Sequence, residues 1–280
     1  MTRDVRTLPL GEAIITVINV GDFTWNLSEK LNVSESEWRP QDAVFFERPL
    51  LFPTQCVHIA LPHPSVLVDP SRHDPPANTT AWSPNLRQPP RLITQLLERG
   101  IHPEEITHVV ITHAHFDHYA AITREQDGYD EPCFPNARCF LSRAEWERPE
   151  IQQALQDPDA NESRTLGVLH RMGALELVEG DHDLVPGVRV IAAPGETPGH
   201  QIVRVHSQGQ TLYCLGDLYH HPVEVEHPTW MVRWKNREVN LRSRQALMEM
   251  VLAENALLIA SHIPPGYMER TSSGVRWIAL

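Results

Sequence analysis

Ile111-Thr112-His113-Ala114-His115-Phe116-Asp117-His118 comes directly after the apolar pair Val109-Val110 and gathers three imidazoles and a carboxylate into six positions. In an extended segment residues i and i+2 point to the same side, so His113 and His115 are expected to hold one ion as a pair. Once the chain turns, Asp117 and His118 must aim elsewhere, toward a second ion beside the first. Imidazole nitrogen and carboxylate oxygen are donors that zinc accepts where thiolates are absent, and they also suit iron and manganese. A polar loop with scattered surface histidines does not produce this spacing at a strand end.

The His-x-His-x-Asp-His motif resembles the signature of the metallo-β-lactamase superfamily of metallohydrolases. That family places three further ligands downstream: a His, a bridging acid and a last His. The sequence offers Pro194-Gly-Glu-Thr-Pro198-Gly199-His200, then Leu215-Gly216-Asp217, then Ala260-Ser261-His262. Each follows or ends an apolar run, and Pro198-Gly199 is a turn signal that can swing His200 back over a sheet. The resemblance runs from about residue 54 to 265. It implies that His113, His115 and His200 hold a first ion, that Asp117, His118 and His262 hold a second, and that Asp217 bridges them. It also implies an αββα sandwich, an α/β (α+β) architecture of four layers, over a single domain spanning residues 1–280, with the N-terminal lead 1–54 contributing to the mouth of the site.

Elements read along the chain agree with that architecture. Short apolar runs at Ala13–Val20, Val57–Leu61, Val66–Asp69, His108–Thr112, Ala137–Leu141, Leu175–Val178, Val188–Ala193, Ile202–His206, Thr211–Leu215 and Leu257–Ala260 read as strands. Helices are expected at Arg91–Arg99, from a capping box at Ser142–Glu145 to about Gln156, at Glu162–Met172 and at Leu241–Glu254. Asp74–Pro90, rich in Pro, Asn and Ser, reads as a surface loop.

Composition narrows the class of partner. A formal charge of −12 argues against a phosphate-backbone partner, which needs a basic surface. The start MTRDVRTLPLGEAI lacks the apolar core of a secretory signal, and no run of about 18 apolar residues occurs, so the expectation is a cytoplasmic protein off the membrane. Cys56, Cys133, Cys139 and Cys214 form no Cys-x-x-Cys pair and read as reduced core residues.

The chemistry implied by the resemblance is hydrolysis. Two divalent ions, zinc first and iron, manganese or cobalt still open, share a hydroxide and lower the pKa of its parent water from about 15.7 toward about 7. That nucleophile would cleave a small ester, a lactone or an organophosphate, with Asp117 or Asp217 handing a proton to the leaving alkoxide. Lactonase members of the superfamily carry a Tyr three residues past the bridging acid. Here that place is His220, with Tyr219 before it, and either is a candidate donor to the developing oxyanion. Asp69 stands where relatives keep an acid that orients a metal-bound His, although Pro70 and Ser71 follow it; capping local backbone amides is the other reading. The aromatic segments Phe23–Phe52 and Trp230–Trp234 are read either as an apolar substrate pocket or as ordinary loop packing. Thioester hydrolysis of the glyoxalase II type and iron-dependent redox chemistry on the same fold are the alternatives. The partner is a small molecule, and pairing into a homodimer is admitted by the lactonase branch.

Overall fold

Residues i and i+2 of the longest strands turn the same side chains inward, and that alternation builds two facing sheets. A computed structural model describes residues 5–71, 91–272 and 274–280. The first sheet contains, in spatial order, Val5–Leu10, Ala13–Trp25, Leu50–Ala60, Ser65–Val68, His108–Val110, Arg138–Ser142 and Leu175–Val178. The second contains His182–Val185, Val188–Ala192, Gln201–Ser207, Gln210–Cys214, Leu257–Ile259, Gly266–Thr271 and Gly274–Ala279. Ile15, Val17, Val57, Ile59, Val66 and Val68 from one sheet meet Val190, Val203, Val205, Leu212 and Ile259 from the other in a buried inner layer.

The opposite faces are covered by helices. Leu92 and Leu96 (helix Leu92–Leu97), Ile151 (Pro149–Ala154) and Leu166 and Leu169 (Leu166–Arg171) pack on Ile18, Leu67, Val109 and Leu141. Leu247 and Val251 of helix Arg237–Glu254 pack on Ile202, Tyr213 and Leu258 of the second sheet. The four layers are those of the expected αββα sandwich. No described helix is long and apolar enough to cross a membrane.

Parallel pairing in the middle of each sheet decides where chemistry can sit. Ser65–Val68, His108–Val110, Arg138–Ser142 and Leu175–Val178 run parallel, as do Gln210–Cys214 and Leu257–Ile259. Parallel strands end together, so Asp69, His113, Glu145, Asp217 and His262 leave neighbouring strands at one edge of the sandwich.

Several expected elements differ in detail. The strand from Ala13 continues to Trp25 past a bulge between Asn19 and Gly21 and pairs with Leu50–Ala60 as a long ribbon. The pair Gly266–Thr271 and Gly274–Ala279 was invisible in sequence because of its inward residues only Met268 and Trp277 are both large and buried. A hairpin, Thr123–Gln126 with Tyr129–Pro132, turns on Asp127-Gly128, both with positive φ, a turn signal the apolar runs do not show. The helix expected from Ser142 to Gln156 is two pieces, Arg143–Trp146 and Pro149–Ala154, because Pro149 starts a new helix. The capping box also fails: Ser142 makes no cap bond, and the Glu145 carboxylate turns toward other loops. Glu162–Met172 likewise splits at Thr165, and the last helix starts at Arg237, capped by Asn236 on the Val239 amide at 3.2 Å. Asp74–Pro90 lies outside the described residues.

Candidate metal centre

The strand before the histidine motif stops at Val110; beyond it the chain bends and then makes a short 3-10 turn, Phe116–His118. His113 and His115 therefore meet across a bend and not along an extended strand, as the spacing had suggested. Two carboxylates take over from the missing sheet partners. Asp69 accepts from the Thr112 amide at 2.8 Å and from the Thr112 hydroxyl at 2.9 Å. Glu145 accepts from the Ala114 amide at 2.9 Å and from the Gly199 amide at 2.7 Å, clamping the His113–His115 bend to the turn that carries His200. A Cβ at Gly199 would stand 2.7 Å from the Glu145 backbone nitrogen, so only glycine lets the turn come this close. Gln55 fixes the segment that carries His262 by donating to the carbonyls of Ala260 and Ile263, each at 2.7 Å.

These supports converge on two groups of donor atoms. His113, His115, Glu196 and Asp217 form one; Asp117, His118 and His262 form the other, with the ligand atoms of each group all within 4.8 Å of one another. In the first, His113 Nε2 lies 2.8 Å from His115 Nδ1 and 3.8 Å from Asp217 Oδ2. In the second, Asp117 Oδ2 lies 3.6 Å from His118 Nε2 and 3.5 Å from His262 Nε2. Asp217 reaches both groups, its Oδ2 3.4 Å from His118 Nε2 and its Oδ1 3.3 Å from His262 Nε2.

The far ring nitrogens are held from behind. His118 Nδ1 lies 2.9 Å from Asp69 Oδ2, His262 Nδ1 2.8 Å from the Pro53 carbonyl, and His200 Nδ1 3.0 Å from the Ala193 carbonyl. An acceptor at Nδ1 keeps the proton there and leaves the Nε2 lone pair facing the centre, as a metal ligand requires. Asp69 thus both orients His118 and caps backbone. His118 Nε2 and Asp217 Oδ1, both buried, make no hydrogen bond among the described residues. Buried imidazole and carboxylate donors arranged in two linked groups fit divalent ions, which supply the charge that would leave those atoms satisfied.

The electrostatics carry the same message. Burial pushes His200 down to about 3, and burial together with the neighbouring imidazoles of His118 and His115 holds His113 well below its ordinary range. Burial also opposes charge on His262, but the carboxylates of Asp217 and Asp117 outweigh it and lift the group to about 10. For His118 the same contest ends well above its ordinary value. The imidazoles closest to Asp117 and Asp217 are thus the ones driven toward the charged form.

Several positions differ from expectation. His200 stands beside His113, ring centroids 5.1 Å apart, but its Nε2 accepts from the Asp217 amide at 3.1 Å, and Glu196 takes its place in the first donor group. His220 is brought in: it is buried, with Nε2 3.2 Å from Asp217 Oδ2 and its ring 5.8 Å from that of His262. Tyr219 is not. Its ring lies under the Arg244 guanidinium at 4.5 Å in the apolar layer behind the second sheet, and burial pushes its hydroxyl to about 12. The chain turns after Cys214, and Leu218 and Tyr219 both enter the apolar layer while His220 faces Asp217. His221 packs on Phe45 at 4.9 Å and faces away.

Sequence reading missed Glu196, Lys235, Glu145, Glu224 and Arg244. Glu196 lies in the same Pro-Gly-Glu-Thr-Pro-Gly-His turn as His200, which was the available signal. Glu145 was read only as a helix cap, and nothing in the local sequence distinguishes Lys235, Glu224 and Arg244 from surface charges.

The family model described as Metallo-beta-lactamase superfamily matches residues 51–229. The chain belongs to this superfamily. An N-acyl homoserine lactonase of Bacillus cereus is 25% identical over 183 residues, covering 64% of this chain and 64% of that protein. The match therefore spans just under two thirds of that relative's length. The N-acyl homoserine lactonase AttM of Azorhizobium caulinodans is 24% identical over 225 residues, 72% of this chain and 74% of that protein. Among solved structures of the superfamily's fold, the hydrolase AbOPH superposes with a TM-score of 0.81 at 16% identity, covering 100% of this chain and 98% of that one. The dizinc quorum-quenching lactonase AidC gives 0.75 at 19% identity, covering 99% and 97%.

Proposed function

We propose that the chain is a metal-dependent hydrolase of small lactones or esters that carry an apolar acyl or aryl group, with organophosphates as a related substrate class. One observation supports this most directly: the donor groups joined by Asp217 border a cavity of about 430 Å³ lined by Phe23, Trp25, Thr54 and Asp117. Relatives named as N-acyl homoserine lactonases favour the lactone within that class.

In this reading His113, His115, Asp217 and, with its Nε2 released from the Asp217 amide, His200 hold the first ion, and Asp117, His118, His262 and Asp217 the second. Bound divalent ions lower the pKa of a water and polarise the substrate carbonyl or phosphoryl oxygen. Zinc is the ion we favour, because imidazole and carboxylate suit it and AidC is described as dizinc. Phe23 and Trp25 shield the centre from water, their rings 5.0 Å from His262 and 5.4 Å from His220 respectively. In this reading Asp117, with its side chain 46% exposed and its carboxyl held low by His118 and His262, would take the proton that the attacking water gives up and hand it to the departing oxygen. In this reading His220 Nε2, 3.2 Å from Asp217 Oδ2, would donate to the oxygen on which negative charge develops. All four cysteines are buried and free, which supports a reducing compartment and hence the cytoplasm.

The apolar wall comes from the ribbon Ala13–Trp25 with Leu50–Ala60. Trp230 does not share in it; it stacks on His227 at 3.7 Å and packs among Leu27, Phe46 and Val232. Trp234, 46% exposed and 5.9 Å from Trp25, is the residue of that segment at the cleft. A second cavity of about 570 Å³ lies on the other side, lined by His115, Arg148, Glu196 and Trp234. Its cation, Arg148, is already bonded to Glu145 and Glu150, which gives no support to a glutathione-type thioester.

The test is metal analysis followed by a hydrolysis panel of lactones, aryl esters, thioesters, phosphotriesters and a β-lactam. Activity on acyl lactones or aryl esters that disappears on chelation and returns with two ions per chain is the expected result; full activity after exhaustive chelation would refute the reading. Trp25→Ala should raise KM for long-chain acyl lactones roughly tenfold or more while leaving short ones nearly unchanged, since a buried aromatic contributes about 1.5–3 kcal/mol. Equal effects on both would remove Trp25 from the pocket. His220→Ala should impair substrates unequally, according to how poor their leaving oxygen is. Uniform loss across the panel would mean that His220 only supports Asp217.

A further inference from the structure

Gly195 forces the chain into the cleft at the residue that follows it. Its φ is +137°, and a Cβ there would lie 2.3 Å from the Asn240 Cα, so no other residue fits between this turn and helix Arg237–Glu254. The next side chain, Glu196, is buried and is held by two neighbours from another segment. Trp234 Nε1 donates to its Oε1 at 2.6 Å, and Lys235 Nζ lies 3.2 Å from its Oε2. Lys235 is itself buried and donates to the carbonyls of Asp217 at 2.7 Å and Leu218 at 3.1 Å. Glu196, Lys235 and Asp217 therefore form one continuous strut across the first donor group.

The strut delivers a carboxylate to a position that a mere structural ion pair would not need. Glu196 Oε1 stands 3.5 Å from His115 Nδ1, the same ring nitrogen that approaches His113 Nε2 at 2.8 Å. It is thus on the side of His115 that faces the ion, not behind the ring where Asp69 stands relative to His118. Apart from the ion pair with Lys235, its second oxygen is buried and makes no hydrogen bond among the described residues.

We propose that Glu196 is a further donor to the first ion, which makes that position richer in carboxylate oxygen than histidines and one bridging acid would. The inference rests on the metal-dependent reading above. Lys235 offsets the added negative charge, so the position gains a hard ligand without a large excess of anion. Oxygen donors favour manganese and other hard ions over zinc relative to imidazole donors. With Glu196 the first position offers two carboxylates beside its imidazoles, as many as Asp117 and Asp217 bring to the second, so it should tolerate manganese better than it would without Glu196.

Competition titration of the purified full chain with zinc and manganese in a chelator buffer, with metal content counted per chain, tests this. Glu196→Gln keeps size and shape and should weaken manganese at one of two positions by roughly 10- to 100-fold, with a smaller change for zinc. Glu196→Gln/Lys235→Met, which leaves no unpaired buried cation, should show the same loss. Trp234→Phe, which frees Oε1 without removing the carboxylate, should leave manganese binding as tight as in the parent or tighter. A manganese-to-zinc preference unchanged in both Glu196 variants would overturn the inference and confine Glu196 to an ion pair with Lys235. A parent chain that takes up no divalent ion would overturn the metal reading as well, so the two failures are distinct.

Discussion

Asp217→Asn is expected to lower turnover of every substrate on the panel by roughly a thousandfold, with His115→Ala close behind. The size reflects what Asp217 touches. Its two oxygens lie within 3.8 Å of four ring nitrogens, those of His113, His118, His220 and His262. Among the described residues it is the carboxylate that reaches both donor groups, and in the proposed reading an amide in its place would remove the negative charge that lets two cations sit side by side. Losing several kcal/mol of transition-state stabilisation corresponds to about three orders of magnitude. Asp69→Asn provides the contrast. It acts only through His118 and Thr112, so a loss of roughly 10- to 100-fold in metal affinity or activity is expected. Steady-state rates at fixed metal concentration and metal content per chain check both. An Asp217→Asn enzyme that keeps two ions and more than a tenth of parental activity would show that the bridge is dispensable.

Arg244→Met is expected to cost about 3–5 kcal/mol of stability, because it strands the charge on Glu224. Arg244 is fully buried; it donates to the carbonyls of Leu218 at 3.0 Å and Trp230 at 2.6 Å and pairs with Glu224. Glu224 Oε1 in turn accepts from the amides of His220 at 2.8 Å and His221 at 3.0 Å. The pair therefore holds the backbone that presents His220 to Asp217. Urea unfolding should show the loss, and Arg244→Met/Glu224→Gln should recover part of it, since both charges are then gone. Burial opposes charge on Glu224, but Arg244 and Lys235 outweigh it and bring the group down to about 2 from its ordinary 4.5. A depressed carboxyl contributes its stabilisation above the unfolded value and loses it as pH falls. Glu224 should thus contribute fully above about pH 4.5 and progressively less toward pH 2, and the double variant should lack that part of the acid sensitivity. Equal stability of Arg244→Met and parent would show that the stranded carboxylate finds water.

Most of the strands were legible because apolar runs of four to eight residues bounded by turns survive any detail of packing. The edge pair at the C-terminus was not, since its buried large residues are few and Glu269, Arg270 and Arg276 along it are exposed. Glu145 illustrates the opposite failure. Its place three residues after Ser142 fits a capping box, but two loop amides lacking sheet partners compete for the same carboxylate, and they win.

The candidate donor residues, their order and the sandwich that carries them are written in the linear chain, because short motifs and strand periodicity are local properties. Which neighbours face the centre is settled only by the packed fold. It turned His220 inward and Tyr219 into the apolar layer, and it set Glu196, fixed by Trp234 and Lys235 from 38 and 39 positions further along the chain, beside His115. Those choices depend on which strands end side by side and on which buried charges find partners. Neither can be read from the spacing of residues along one segment.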